Sequence, residues 1–245
     1  MNFKLTGHEL FVSKMKDQLN LVTSKNRTIV TSFLSPVEQE ILKSMVGNKV
    51  NLTLEGGYEN CERKVAILSN DDMLYTDVVC LHAQYDNRFK ALEHRDLLGC
   101  LMHLGIEREQ LGDLIVDSQD VYIFTKEKMA DFIIRECTNI GRCTLQFERE
   151  YAPCISHINR IPIQVNAASL RLDVVVSALG HCSRSKACEW IRQGFVKVND
   201  VVLDEIVLIC NNDFVSIRKI GRFQFKEVVS TTKKNRMILC FDQFK

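Results

Sequence analysis

Residues 77–149 contain two kinds of apolar stretch, one with the period of a helix and one typical of a strand. Few folds are compatible with the order in which they follow one another. Two stretches are helical in pattern, because their apolar residues recur every three or four positions, and four are short and extended. In chain order they are a strand at 78–85, a helix at 92–105, strands at 113–119 and 120–125, a helix at 128–141 and a strand at 142–149. This β-α-β-β-α-β order predicts a ferredoxin-like domain within an α+β protein. Four residues of its first helix are expected to share the core side: Leu97, Leu98, Leu101 and Met102.

RNA-recognition motifs use the same order of elements and stack bases on aromatic side chains of their central strands. Because side chains alternate along a strand, Tyr122 and Phe124 point to one face of the predicted sheet. The glycine- and aromatic-rich signature of RNA-recognition motifs is absent from the sequence. Two interpretations stay open: this face stacks bases, or it packs against a neighbouring domain.

The N-terminal segment, residues 1–75, is predicted to be a small α/β unit. Ser35, Pro36 and Glu38 form the pattern of a capped helix start. The expected core stripe of that helix is Val37, Ile41, Leu42 and Met45. A second, loosely amphipathic helix is expected at 7–19.

Two strands, at 49–57 and 63–69, are predicted to follow in the same segment, joined by a glycine-containing loop. Tyr58 and Arg63 lie in this loop. They either contact a ligand or belong to a packed hairpin loop.

The middle domain is assigned to residues 76–150, and residues 151–168 are predicted to be a linker or extended connector. This stretch holds Pro153 and Pro162, two of the three prolines of the chain, and has no helical period.

The C-terminal module, residues 169–245, begins with two short helices and continues as a small sheet that ends in a hairpin. The first helix is expected to bury Leu172, Val175, Val176 and Leu179, which recur at helical spacing. The second is expected to begin after the N-cap Ser183, to end at Gly194, and to bury Ala187, Trp190 and Ile191.

Charge is divided unevenly along the 245 residues. Residues 170–245 contain 13 Lys and Arg against 8 Asp and Glu, a net charge of +5, whereas the remainder is net −4. A basic C-terminal module on an acidic body points weakly to nucleic acid.

Ten cysteines are scattered singly, and none forms a Cys-x-x-Cys pair. We interpret them as buried, reduced thiols. The pairs Cys137 with Cys143 and Cys182 with Cys188 lack zinc-ligand spacing, so no metal site and no cofactor are expected. No apolar run reaches the ~18 residues of a membrane span, and the first residues lack a secretory apolar core. A cytoplasmic protein is therefore expected.

The C-terminal module resembles the S4-type RNA-binding domain that ribosomal protein S4, pseudouridine synthases and tyrosyl-tRNA synthetases share. The matching pieces are Arg171-Leu172-Asp173, Ser183-Arg184-Ser185, Gly194 and Val196-Lys197-Val198-Asn199. Two turns depart from the pattern, with Asn199-Asp200 in place of Asn-Gly and Asn212-Asp213 in place of Gly-Asp. Asn tolerates left-handed backbone geometry, so both turns are expected to form.

A wider resemblance covers nearly the whole chain. The segments "GGYENCERKVAIL", "LEHRDLLGCLMHLGIEREQLGDLIV" and "IRKIGRF" are similar, in this order, to the bacterial YlmH family. That resemblance implies a cytosolic factor of the large ribosomal subunit in ribosome-associated quality control. Its partners would be rRNA of that subunit and peptidyl-tRNA, with no membrane and no small-molecule substrate. The family is also tied to cell division.

The S4 resemblance implies that the second helix lies on structured RNA, where its cations meet phosphates. The RNA-binding residues expected on this basis are Arg171, Ser183, Arg184, Ser185, Lys186, Arg192, Lys197 and Asn199. Asp173 would repel phosphate, so it is expected to orient Arg171 or Arg184 through an exposed ion pair.

No catalytic residues are predicted. The sequence has no phosphate-binding loop, no Gly-x-Ser-x-Gly and no His-Glu-x-x-His. Arg171-Leu172-Asp173 matches the letters of a pseudouridine synthase motif but lies in the RNA-binding helix, and His94 is interpreted as a helix-surface histidine. The alternatives are an RNA-modifying enzyme anchored by the C-terminal domain, and a protein-binding component of cell division.

Overall fold

The computed structural model describes residues 7–47, 50–70, 75–86, 88, 91–153, 155, 160–203 and 205–244. It divides into two compact units, Met1–Cys154 and Ile155–Lys245. Helices and antiparallel sheets occur in both, so the α+β class is confirmed. The finer division into four segments stays a prediction.

The N-terminal segment contains two helices and a three-stranded sheet in the order β1-β3-β2. Its elements are α1 (Glu9–Lys25), β1 (Ile29–Leu34), α2 (Pro36–Val46), β2 (Asn51–Glu55) and β3 (Lys64–Ser69). The capping box of α2 is present, since Glu38 N donates to Ser35 Oγ at 3.4 Å and Ser35 N donates to Glu38 Oε2 at 2.7 Å. The strand β1, which was not predicted from the sequence, pairs antiparallel with β3.

The second part of the same unit is the predicted ferredoxin-like domain. Its elements are β4 (Val78–Gln84), α3 (His94–His103), a 3-10 turn (Arg108–Gln110), β5 (Leu111–Asp117), β6 (Asp120–Lys126), α4 (Glu127–Glu136), β7 (Asn139–Ile140), β8 (Cys143–Thr144) and β9 (Glu148–Glu150). The four-stranded sheet has the order β5-β6-β4-β9, and every neighbouring pair is antiparallel. The strand predicted at 142–149 is interrupted, because β8 pairs with β7 and only β9 joins the sheet.

The prediction that Met102 of α3 lies in the core is wrong. Leu97 and Leu101 are fully buried and Leu98 packs against the core, but Met102 is 46% exposed. At 100° per residue Leu101 lies about 40° from Leu97, whereas Met102 lies about 140° away, at the rim of the apolar side.

The N-terminal segment covers part of the sheet face that α3 and α4 leave open. Phe124 is fully buried, with its ring centroid 4.8 Å from that of Tyr58. A Cβ added to Gly57, whose φ is +94°, would lie 2.6 Å from the Phe124 ring, so this approach requires glycine. Base stacking on Phe124 is therefore corrected to packing within the unit. Tyr122 is half-buried and stacks on His82, with 4.6 Å between ring centroids.

A single buried carboxylate ties the two parts of this unit together. Asp113 accepts hydrogen bonds from Tyr58 Oη at 2.6 Å, from Glu62 N at 2.7 Å and from Arg63 N at 2.9 Å. Arg63 also donates through Nε to the Leu111 carbonyl at 3.1 Å. Burial, and then Asp113, raise the pKa of Tyr58. Of the two interpretations of this loop, the packed one is confirmed.

The C-terminal unit is one six-stranded antiparallel sheet with two helices on one face. Its elements are β10 (Arg160–Ala167), α5 (Leu172–Leu179), α6 (Arg184–Arg192), β11 (Val196–Val198), β12 (Val201–Val202), β13 (Phe214–Ile217), β14 (Gly221–Thr231) and β15 (Met237–Phe244). The strand order is β10-β15-β14-β13-β11-β12. The four expected core residues of α5 are buried, together with Ala187, Ile191 and the apolar sheet residues beneath them.

Two expectations about this unit need correction. The predicted linker 151–168 contains β10, which pairs with β15 along its whole length. The alternation of Ile161, Ile163, Val165 and Ala167 was the signal for this strand. Trp190 is only half-buried and lies at the edge of the core, where its ring touches Gly180.

Within the described residues, no helix is long and apolar enough to cross a membrane. The nine described cysteines form no disulfide bond. The described part of the chain also holds no group of three or more metal-ligating side chains.

Replacing Asp113 with Ala is expected to destabilise the N-terminal unit by about 3 kcal/mol, because three donors lose their buried acceptor at once. Urea denaturation followed by far-ultraviolet circular dichroism measures the loss. Glu107→Ala, which removes an exposed carboxylate, is the matched control. Equal stabilities for the two variants would contradict the role given to Asp113.

Candidate RNA-binding surface

The surface is built around the start of α6. Ser183 has extended backbone geometry and caps the helix, since its Oγ accepts from Lys186 N at 3.2 Å. A hydroxyl that accepts in this way keeps its own proton for donation. The expected N-cap is therefore confirmed, and Ser183 and Ser185 are both exposed beside the first turn of the helix.

Asp173, in the first turn of α5, binds two arginines. Its Oδ1 accepts from Arg171 Nε at 3.2 Å and its Oδ2 accepts from Arg184 Nε at 2.5 Å. The Asp173 side chain is only 1% exposed, whereas that of Arg184 is 58% exposed. The expectation of an exposed pair is wrong on the aspartate side. The segment before β13 runs beside the start of α5, where Leu172 N donates to the Val207 carbonyl at 2.8 Å.

The two arginines determine the charge state of this carboxyl. Burial alone would raise the pKa of Asp173, but the hydrogen bonds from Arg184 and Arg171 outweigh it and hold the pKa below its ordinary value. Each arginine uses its Nε on Asp173. Within the described residues, the Nη groups of both have no hydrogen-bond partner, so they present donors for a phosphate.

Three other expected cations are exposed: Lys186 and Arg192 on α6, and Lys197 on β11. Lys186 pairs with Glu189 at 2.9 Å, and this hydrogen bond lowers the pKa of Glu189. Arg192 and Lys197 have no acidic partner among the residues that the structure describes. Arg192 therefore offers a full positive charge, whereas that of Lys186 is partly neutralised.

Asn199 stabilises the expected turn with its side chain as well as with its backbone. With Asp200 it forms the turn between β11 and β12, and both have positive φ, +55° and +66°. Its Nδ2 donates to Asp213 Oδ1 at 2.9 Å, and its Oδ1 accepts from Phe214 N at 2.9 Å. Asn212 also has positive φ, so both departing turns form as expected.

Sequence reasoning missed two further basic residues at the other end of α6. Arg218 lies over the Phe195 ring at 5.1 Å from the centroid and donates its backbone N–H to the Phe195 carbonyl at 2.8 Å. Phe195 in turn donates to the Trp190 carbonyl. Arg218 and Lys219 are both exposed, and their only signal in the sequence is a basic pair directly after a strand.

A curated protein of Bacillus subtilis, named "Ribosome-associated protein quality control protein P2", is 30% identical to this chain over 244 residues, which cover 96% of this chain and 95% of the relative. The chain belongs to the YlmH family. The model of the YlmH RNA-binding domain matches residues 75–152, and that of the S4 domain matches residues 170–206.

A solved structure shows the same fold. "Cell division protein ylmH from Streptococcus pneumoniae" has a TM-score of 0.54 and 19% sequence identity, and the match covers 61% of this chain and 94% of that one. The YlmH match at 75–152 spans the ferredoxin-like sheet, and the S4 match spans α5, α6 and the turn after β11. The start of α6, around which the candidate surface is built, thus lies within the S4 match.

Asp173→Asn is expected to reduce the stability of the C-terminal unit at pH 7 by about 1–3 kcal/mol, since both arginines lose a charged acceptor. The folded-state pKa of Asp173 is lowered, so its contribution is complete above the unfolded value of about 4 and is lost as pH falls through the folded value. The variant should therefore lose less stability than the parent protein on acidification.

Urea unfolding at several pH values, followed by the fluorescence of Trp190, the single tryptophan, reports on this unit. Glu205→Gln, which neutralises an exposed carboxylate of the same unit, is the control. Parallel pH profiles for Asp173→Asn and the parent protein would show that this ion pair adds no stability.

Proposed function

We propose that this chain is a noncatalytic RNA-binding factor that docks on the large ribosomal subunit in ribosome-associated quality control of stalled nascent chains. Its RNA partner is rRNA of that subunit, peptidyl-tRNA bound to it, or both, in the cytoplasm. The observation that carries the proposal is the pair of arginines held by Asp173 beside the capped start of α6.

The geometry of this group suits phosphate. A guanidinium whose Nε is occupied keeps its Nη groups for the oxygens of one phosphate, and its orientation is already fixed. Exposed backbone N–H groups and the Ser183 hydroxyl at the start of α6 add further donors. Contacts of this kind position structured RNA rather than read its sequence.

The ribosomal assignment rests on family membership. The name of the relative from Bacillus subtilis includes ribosome-associated quality control. The match covers 96% of this chain and 95% of that relative. The large subunit and peptidyl-tRNA are what the YlmH resemblance implies, and a net charge of +5 over residues 170–245 beside an acidic remainder is consistent with both.

One observation favours the alternative, an RNA-modifying enzyme. His82 Nε2 lies 2.8 Å from Asp120 Oδ1 on the partly open face of the ferredoxin-like sheet, and a hydrogen bond from His82 lowers the pKa of Asp120. A histidine oriented by a carboxylate suits acid–base chemistry. Incubation with isolated subunits, followed by mass spectrometry of the rRNA, tests it. A new modified nucleotide that His82→Ala abolishes would replace the proposed factor with an enzyme.

Arg192→Ala is expected to weaken binding to large ribosomal subunits about tenfold or more without lowering the melting temperature. Arg192 is exposed and takes no part in the Asp173 ion pairs, so the change removes a charge-assisted contact worth about 1.5–3 kcal/mol and leaves the fold intact. Cosedimentation with purified subunits measures the effect.

Lys234→Ala removes the same charge from the turn between β14 and β15 and is the matched control. Glu189→Gln is expected to strengthen binding, because it releases Lys186 from its ion pair. Unchanged cosedimentation of Arg192→Ala would remove the C-terminal end of α6 from the RNA contact.

A further inference from the structure

A single row of residues crosses all six strands of the C-terminal sheet. Arg160 on β10 pairs with Phe244 on β15, and Phe244 pairs with Arg222 on β14. The register continues from Arg222 through β13 and β11 to β12, so the row consists of Arg160, Phe244, Arg222, Ser216, Lys197 and Val202. Directly paired residues share one face of a sheet, so these six side chains are neighbours.

The row lies on the face away from the two helices. The apolar residues that pack against α5 and α6 are the alternate residues of the same strands, among them Val215, Phe223 and Phe241. Arg160 and Lys197 are exposed, and the Arg222 side chain is 29% exposed. Six strands about 4.8 Å apart give the row a length of roughly 24 Å.

The centre of the row is a stack of arginines and aromatic rings. The guanidinium carbon of Arg160 lies 5.1 Å from the Phe244 centroid, and that of Arg222 lies 5.6 Å from the same centroid on the neighbouring strand. Arg222 also lies 4.5 Å from the Phe214 centroid. Cation–π contacts of this kind hold guanidinium groups against the sheet and limit their motion.

The face is also basic. Among the described residues, three acidic side chains lie on or near it: Asp200, 3.6 Å from Arg222, Asp242, 3.4 Å from Lys226, and Glu227, which pairs with Cys240 on β15. Against these stand Arg160, Arg222, Lys197 and Lys226, so positive charge is in excess. A ligand that complements this face therefore carries negative charge and has flat groups that stack on aromatic rings and guanidinium planes.

We propose that this face is a second RNA surface, which binds a single-stranded segment along the row from Arg160 to Lys197. Unpaired bases stack on the Phe244 ring and on the guanidinium planes beside it, and the cations contact the backbone. Lys197 belongs to this row and is also one of the RNA-binding residues that the S4 resemblance implies for the proposed function, on which the inference rests. The structured part and the unpaired part of one RNA thus contact two different faces of the same domain.

Fluorescence anisotropy of the full chain with a labelled single-stranded RNA oligonucleotide tests the proposal. Arg160→Ala is expected to weaken binding about fivefold or more, which corresponds to the loss of one stacked base. Arg160→Lys keeps the charge but not the plane and should recover only part of the affinity. Lys234→Ala, the charge-matched control, should leave affinity unchanged.

Unchanged affinity for Arg160→Ala overturns the proposal and leaves the face to a protein partner. Full recovery by Arg160→Lys overturns the stacking role, and an equal loss on a duplex RNA overturns the single-strand assignment. Arg192→Ala in subunit cosedimentation separates the two ideas. If Arg192→Ala fails to bind subunits while Arg160→Ala binds both RNA and subunits normally, the proposed RNA surface on the sheet is wrong and the proposed function stands.

Discussion

The candidate RNA-binding surface of this protein depends on one buried carboxylate. Asp173 is almost inaccessible, yet it accepts hydrogen bonds from two arginines whose remaining donors face outward. Taking a carboxylate out of water is costly unless charged donors compensate, and here Arg171 and Arg184 do so. The same contacts fix the position of both guanidinium groups before any RNA arrives, which reduces the entropy lost when a phosphate binds. Stability and recognition therefore share one interaction.

A similar arrangement organises the N-terminal unit, with a different consequence. Asp113 holds the loop of Tyr58 and Arg63 against the ferredoxin-like sheet, and Phe124 is buried beneath that loop. Part of the face that RNA-recognition motifs use for bases is thereby occupied by the chain itself. The ferredoxin-like order thus gives the fold of this domain, whereas the candidate RNA-binding surface lies around the start of α6 in the C-terminal unit.

Local signals in the sequence were sufficient for much of this architecture. The capping box at Ser35, the β-α-β-β-α-β order and the N-cap at Ser183 all depend on residues close in the chain, and all are present. What the sequence could not show depends on distant residues. Asp173 is buried in the fold beside Arg184, which follows it by eleven residues, Phe124 is covered by Tyr58, and the row from Arg160 to Lys197 exists only through strand register. Arg160 lay in an expected linker, so no pattern placed it beside Phe244.

The most direct test of the central claim is ultraviolet crosslinking of the full protein to RNA in cells, with sequencing of the RNA adducts and mass spectrometry of the crosslinked peptides. The account predicts RNA from the large ribosomal subunit or tRNA, attached to peptides that contain the start of α6 or β11. Two results would contradict it: RNA adducts that simply follow the abundance of each RNA in the cell, or adducts attached only to peptides of Met1–Cys154.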